Sequence, residues 1–188
     1  YYADPDTHTL VGLDIGLGGG PGATVPGVAG SPTVLLDGSV VVPSVLDAEH
    51  VQLTFVRPDG AVETQAVQAP SSHLLSAERA IPNGQGGLLV QLNRYLDWVD
   101  ARDTIVVGVD AAGTVTGSAP LGAAWGEIVV GEGGTVLTTS KVNYWTEPMY
   151  GGLPKQHVGM LTRLTPEGNQ AAMPEFVGPS GPCGWAWD

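Results

Sequence analysis

The 188-residue chain has one cysteine, Cys183. A lone thiol closes no disulfide within the chain and builds no zinc site. It reads as a small packed residue, or as half of a pair whose mate lies beyond these residues. Lysine is nearly absent. Lys141 and Lys155 are the two, and the 7 basic residues face 19 acidic ones, a net charge of −12. That balance excludes the positive surface that DNA, RNA and anionic membranes reward, so no nucleic-acid partner is expected. Long apolar runs are missing as well. None reaches the roughly 18 residues of a membrane span, so no transmembrane segment is expected. No charged-then-apolar leader opens the chain, and the Tyr1-Tyr2 start reads as that of a processed chain.

What is present is punctuation. Glycine supplies 28 residues and proline 15, while hydrophobic residues still make up 43%. A disordered chain would lack that apolar content. Abundant breakers among Val, Leu and Thr predict many short strands joined by turns. The run VQLTFVRPDGAVETQAV shows the form. Two alternating segments flank a turn in which Pro58 presets φ and Gly60 accepts a positive φ. The same form returns in IVVGVDAAGTVT and MLTRLTPEGNQA, and Gly60, Gly113 and Gly168 are 53 and 55 residues apart. A second series, LLDGSVVV, GQGGLLVQL and VGEGGTVLTT, runs between the first. Its Gly38, Gly87 and Gly134 are 49 and 47 residues apart. Each unit therefore reads strand, glycine turn, strand, longer loop, strand, acidic-glycine turn, strand.

Four antiparallel strands in about 50 residues is the unit of a β-propeller blade. Such a sheet cannot bury both faces alone, but neighbouring copies can cover them. In its evenly spaced hairpins the chain resembles the quinoprotein-like, NHL-like and virginiamycin-lyase-like propellers. The expected fold class is all-β: a β-propeller or propeller segment of four-stranded antiparallel blades. The units are an outer half-blade at 1–16, blades at 30–70, 78–118 and 122–174, and the start of another at 183–188. That phase predicts part of a longer propeller, or further copies or chains completing the ring. The strict quinoprotein signature, Asp-x-x-Thr-Gly before a tryptophan, is not met. Asp4 and Thr7 fit, but His8 replaces the glycine and Gly12 stands at the tryptophan position, so no quinone is implied. The resemblance implies a secreted or cell-surface protein. The lysine-poor, Ala-, Gly-, Val- and Pro-rich composition is that of proteins from GC-rich bacterial genomes.

The tight turns (DG, QGG, EGG, PDG, AAG, PEG) fall on one rim and leave little room for a site. The longer loops fall on the other rim, where binding groups usually sit. They carry Tyr95, Asp97, Trp98 and Asp100 in NRYLDWVDARD, and Tyr144, Trp145, Tyr150 and His157 in KVNYWTEPMYGGLPKQH. His50 lies in PSVLDAEH and Trp125 in an inter-unit link. Aromatic rings beside carboxylates suit stacking on sugars, or capture of a cation. The bland alternative is that these rings plug gaps between blades.

Other chemistry finds little footing. GLGGGPG (16–22) lacks the following helix that a phosphate loop needs, because Pro21, Gly22, Pro26 and Gly27 deny it. It reads as an inter-blade link. No G-x-S-x-G elbow appears. Four scattered histidines form no metal spacing. The lyase-like propellers do use a histidine with a divalent cation, so such a cation is the one cofactor left open, and no other is expected. The leading expectation is a binding module for a glycan, peptide or protein. The alternatives are a lyase or hydrolase acting through His50, His157 and carboxylates near the axis, and a structural subunit of an assembly.

Overall fold

The computed structural model describes residues 2–4, 9–13, 21–26, 30–96, 101–122, 128–130, 136–144, 156–172 and 175–177. Among them the fold is all-β, with no helix. No helix long and apolar enough to cross a membrane exists among these residues, which says nothing of a β-barrel.

The strands form consecutive antiparallel meanders. A three-stranded sheet holds β1 (Tyr2–Asp4), β2 (Thr9–Leu13) and β3 (Pro21–Pro26) in the order β1-β2-β3. The first four-stranded sheet holds β4 (Thr33–Val34), β5 (Val40–Val45), β6 (His50–Val56) and β7 (Val62–Gln68). The second holds β8 (Leu74–Pro82), β9 (Leu88–Leu96), β10 (Ala101–Val109) and β11 (Val115–Gly122). The third holds β12 (Ile128–Val130), β13 (Val136–Tyr144), β14 (Gln156–Leu164) and β15 (Glu175–Val177). Each four-stranded sheet follows chain order, and no sheet closes on itself.

Turn chemistry explains the meander. Asp59-Gly60, Ala112-Gly113 and Glu167-Gly168 close equivalent hairpins, with φ of 87°, 84° and 88° at the three glycines. Arg57, Asp110 and Thr165 each donate a backbone N–H across their turn, at 2.8, 2.9 and 2.7 Å. Proline placement is equally informative. Pro43 lies inside β5, where its missing N–H would face β4. The β4–β5 ladder accordingly holds only two pairs, Thr33↔Val41 and Val34↔Val40. Upstream of that ladder, Ser31 donates to the Glu78 carbonyl at 2.7 Å and bridges Arg79 in parallel, tying the first sheet to the second.

The N-terminal link is a correction. Pro21, Gly22 and Pro26 belong to β3, which pairs with β2 through Leu13↔Pro21 and Thr9↔Pro26. The prolines deny a helix but not an edge strand, where a missing N–H can face away from the ladder. Residues 14–20, 27–29 and 178–188 lie outside the described residues, Cys183 among them.

The core lies between the sheets. The second sheet buries both of its faces, so the turn-proximal halves of β9 and β10, LLVQL and IVVGV, read almost continuously apolar. Leu88, Val90, Leu92, Ile105, Val107 and Val109 pack with Val41, Val51, Leu53 and Val67 of the first sheet. The intervening residues Leu89 and Val106, with Ala119 and Leu121, pack with Ile128 and Leu164 of the third. Strict alternation thus sends successive side chains into two different seams. The second sheet stands between the first and the third.

Candidate functional site

The meander sorts the connections into two ends. The loop end of the first two sheets gathers the β5–β6 loop, the β7–β8 link and the end of β9. Ala69 donates to the Glu49 carbonyl at 2.8 Å, Leu74 to Ala48 at 3.0 Å and Tyr95 to His73 at 3.0 Å. His73 holds a φ of 63° although it is not glycine. His50 begins β6, and its Nδ1 lies 2.8 Å from Asp47 Oδ1. The Asp47 carboxyl is held below its ordinary value by the Glu49 N–H and then by the His50 side chain.

Several residues expected in loops lie elsewhere. Tyr95 is on β9, opposite Arg102 of β10. Asp103 is on β10 and buried, and its Oδ2 accepts from Arg94 Nε at 3.0 Å and Nη2 at 2.7 Å. Arg94 Nη1 also reaches Ser71 Oγ at 3.2 Å, which fastens β9 to the β7–β8 link. YLDWVDAR contains no glycine or proline to stop the strands, so the ladder runs on to Leu96↔Ala101. Tyr144 ends β13 opposite Gln156, and His157 sits on β14 opposite Asn143. Asp97, Trp98, Asp100, Trp125, Trp145 and Tyr150 lie outside the described residues.

His50 and His157, paired in the lyase-like expectation, stand on different sheets. They occupy near-equivalent places on the third strands of the first and third sheets, with the second sheet between them. Among the described residues no group of three or more His, Cys, Asp or Glu gathers as a cation site.

The tight-turn end, expected to leave little room, carries a cleft of about 660 Å³ between the first and second sheets. Leu35, Phe55, Pro82 and Leu88 line it, with Asp37, Glu63, Asp110 and Arg57. The next seam shows why it is open. There the β14–β15 turn sits directly on the second sheet. Asn83 Nδ2 donates to the Pro166 carbonyl at 2.9 Å, and Thr116 Oγ1 to Glu167 at 3.0 Å. Gly108 lies beneath that turn, and a Cβ there would overlap the Glu167 carbonyl.

The equivalent positions of the first sheet follow from matching turn bonds. Leu35 donates to Ser39 as Asn83 donates to Gly87, so Leu35 stands where Asn83 does. Phe55 precedes its turn by the same two residues as Gly108, and Glu63 matches Thr116. A leucine replaces the amide donor, a phenyl ring replaces the bare glycine, and a carboxylate replaces the hydroxyl donor. The β10–β11 turn therefore cannot seat on the first sheet, although its Gly113 still meets the Gln65 side chain.

The polar groups of the cleft are organised. Arg57 grips Glu63 with a two-pronged bond, Nε to Oε1 at 3.0 Å and Nη2 to Oε2 at 2.8 Å. That contact holds the Glu63 carboxyl below its ordinary value and raises Arg57. Asp37 accepts from the Ser39 N–H at 2.9 Å and the Ser39 hydroxyl at 3.0 Å, which likewise lowers its carboxyl. Asp110 Oδ1 accepts from the N–H groups of Ala112 and Thr114, at 2.9 and 2.8 Å.

Nothing in the hydrophobic pattern singles out these residues, since Leu35 and Phe55 obey it. The signal that finds them is a comparison of the repeats with each other at the turn-flanking positions. Comparison with protein-family models, curated proteins and solved structures yields no match to this chain.

Proposed function

We propose that the protein is a ligand-binding module of the β-propeller type, with a binding site in the cleft between the first and second sheets. Three successive four-stranded meanders, packed face to face with a turn of one seated on the next, support the propeller reading. The observation that carries the binding reading is the cleft itself. Its 660 Å³ falls within the range of small-molecule sites, about 300–1,000 Å³, and it joins an apolar floor to a few polar groups. Its lining residues include no histidine, and the Asp37 and Glu63 carboxyls are held below their ordinary values, which supports capture and not turnover. A secreted or cell-surface setting goes with the propeller resemblance.

A mixed set of apolar fragments of positive, neutral and negative charge tests this. Binding is followed by the amide signals of Leu35, Phe55 and Leu88. At least one fragment shifts these signals in the wild type, and none does in Phe55→Gly/Leu35→Asn, which gives the first seam the residues of the second. No response to any fragment overturns the reading.

A second reading rests on the loop end. Backbone bonds there tie the β7–β8 link to the β5–β6 loop, through Ala69 to Glu49 and Leu74 to Ala48, and to the end of β9, through Tyr95 to His73. On this reading the aromatic and acidic surface is for a glycan, peptide or protein; Asp97, Trp98 and Asp100, which the sequence assigns to it, lie outside the described residues.

A further inference from the structure

Resting on the cleft reading, we propose that its ligand is a small organic cation: an ammonium group on an apolar body. The inference comes from counting donors and acceptors around the cavity. Several of the donors there are already used. Arg57 spends Nε and Nη2 on Glu63. The glycine-rich turn at Asn83–Gly87 has the look of an anion cradle, but it turns two of its N–H groups inward. Those of Gln85 and Gly87 both donate to Asn83 Oδ1, each at 2.9 Å. Those two are not offered to an anionic ligand.

Acceptors, in contrast, are in surplus. Asp37, Glu63 and Asp110 each accept two hydrogen bonds. A carboxylate offers about four lone-pair sites, so each keeps capacity for an incoming donor. Three carboxylates and one guanidinium line the cleft, and the whole chain carries −12, which favours a positive ligand over a neutral one of the same shape. The apolar half of the ligand has its counterpart in Leu35, Phe55, Pro82 and Leu88. Leu36 stands fully exposed at the mouth, ready to cover that body. The Phe55 ring adds a face on which a cation can rest. The cavity volume limits the occupant to a small molecule and makes a folded protein surface the poorer fit.

The test titrates the intact protein with three probes of matched shape: 3-phenylpropylammonium, 3-phenylpropanol and 3-phenylpropionate. Amide shifts at Phe55, Leu88 and Asp110 report binding. The ammonium is expected to bind about tenfold more tightly than the alcohol, and the carboxylate more weakly than either. In Asp37→Asn/Glu63→Gln, whose substituted side chains are exposed, the ammonium falls to the level of the alcohol. Raising the salt to about 1 M, where screening acts within about 3 Å, narrows the same gap in the wild type. An alcohol that binds as well as the ammonium, or a carboxylate that binds better, overturns the inference and leaves the cleft reading in place. So does silence towards the ammonium when other fragments bind. Silence towards every fragment overturns both.

Discussion

Gly108 and Gly60 are both glycines at hairpin ends, yet they do different physical work. Gly60 has an open surrounding, and its φ of 87° is what excludes a side chain. Gly108 lies under the neighbouring sheet's turn, and a methyl there would strike the Glu167 carbonyl. Gly60→Ala is therefore expected to cost about 1–2 kcal/mol, the ordinary charge for a left-handed residue. Gly108→Ala is expected to cost about 3 kcal/mol or more, because backbone must move against backbone. Chemical denaturation of the two variants measures the order, and equal losses would contradict the seated turn. Glu63 makes a second residue-scale prediction. Its folded carboxyl lies below the ordinary value of 4.5 because Arg57 grips it. The stabilisation this brings is fully present above that value and is lost as pH falls through the lower folded one. The difference in Tm between wild type and Glu63→Gln should therefore be constant near neutrality and shrink below pH 4.5. A difference that grows in acid would contradict the pairing.

At the scale of elements, one strand serves two seams. Leu88, Val90 and Leu92 of β9 face the first sheet, and Leu89 faces the third. Leu89→Ala should cost about 2–5 kcal/mol through the cavity it leaves between the second and third sheets. Leu36→Ala, at a fully exposed position, should stay within about 0.5 kcal/mol of the wild type. Thermal and denaturant unfolding check the pair, and a neutral Leu89→Ala would mean that the second seam is not packed. The hairpins themselves were legible in the chain, because Asp-Gly, Ala-Gly and Glu-Gly corners dictate their own backbone geometry. The strand ends around YLDWVDAR were not. Aromatic and acidic residues suggest a loop on composition, while the ladder continues as long as each strand finds a partner.

At the scale of the molecule, the sheets stack so that a repeated unit becomes a set of unlike seams. One seam is shut by an amide, a hydroxyl and a bare glycine, at Asn83, Thr116 and Gly108. The other holds a cleft because Leu35, Glu63 and Phe55 occupy the same places. Near-identity in the repeat builds the scaffold, and departure from it opens the cleft. The histidines illustrate the opposite outcome. His50 and His157 look like partners in the sequence, but the second sheet stands between their two sheets.

Sequence alone determined the all-β class, the hairpin corners and the order of strands, because those follow from local backbone preference and period-two alternation. Tertiary structure decided where the cleft lies and which polar groups share it. That depends on how closely one sheet's turn approaches the next sheet's strands, a distance set by side chains far apart in the chain, which no local pattern encodes.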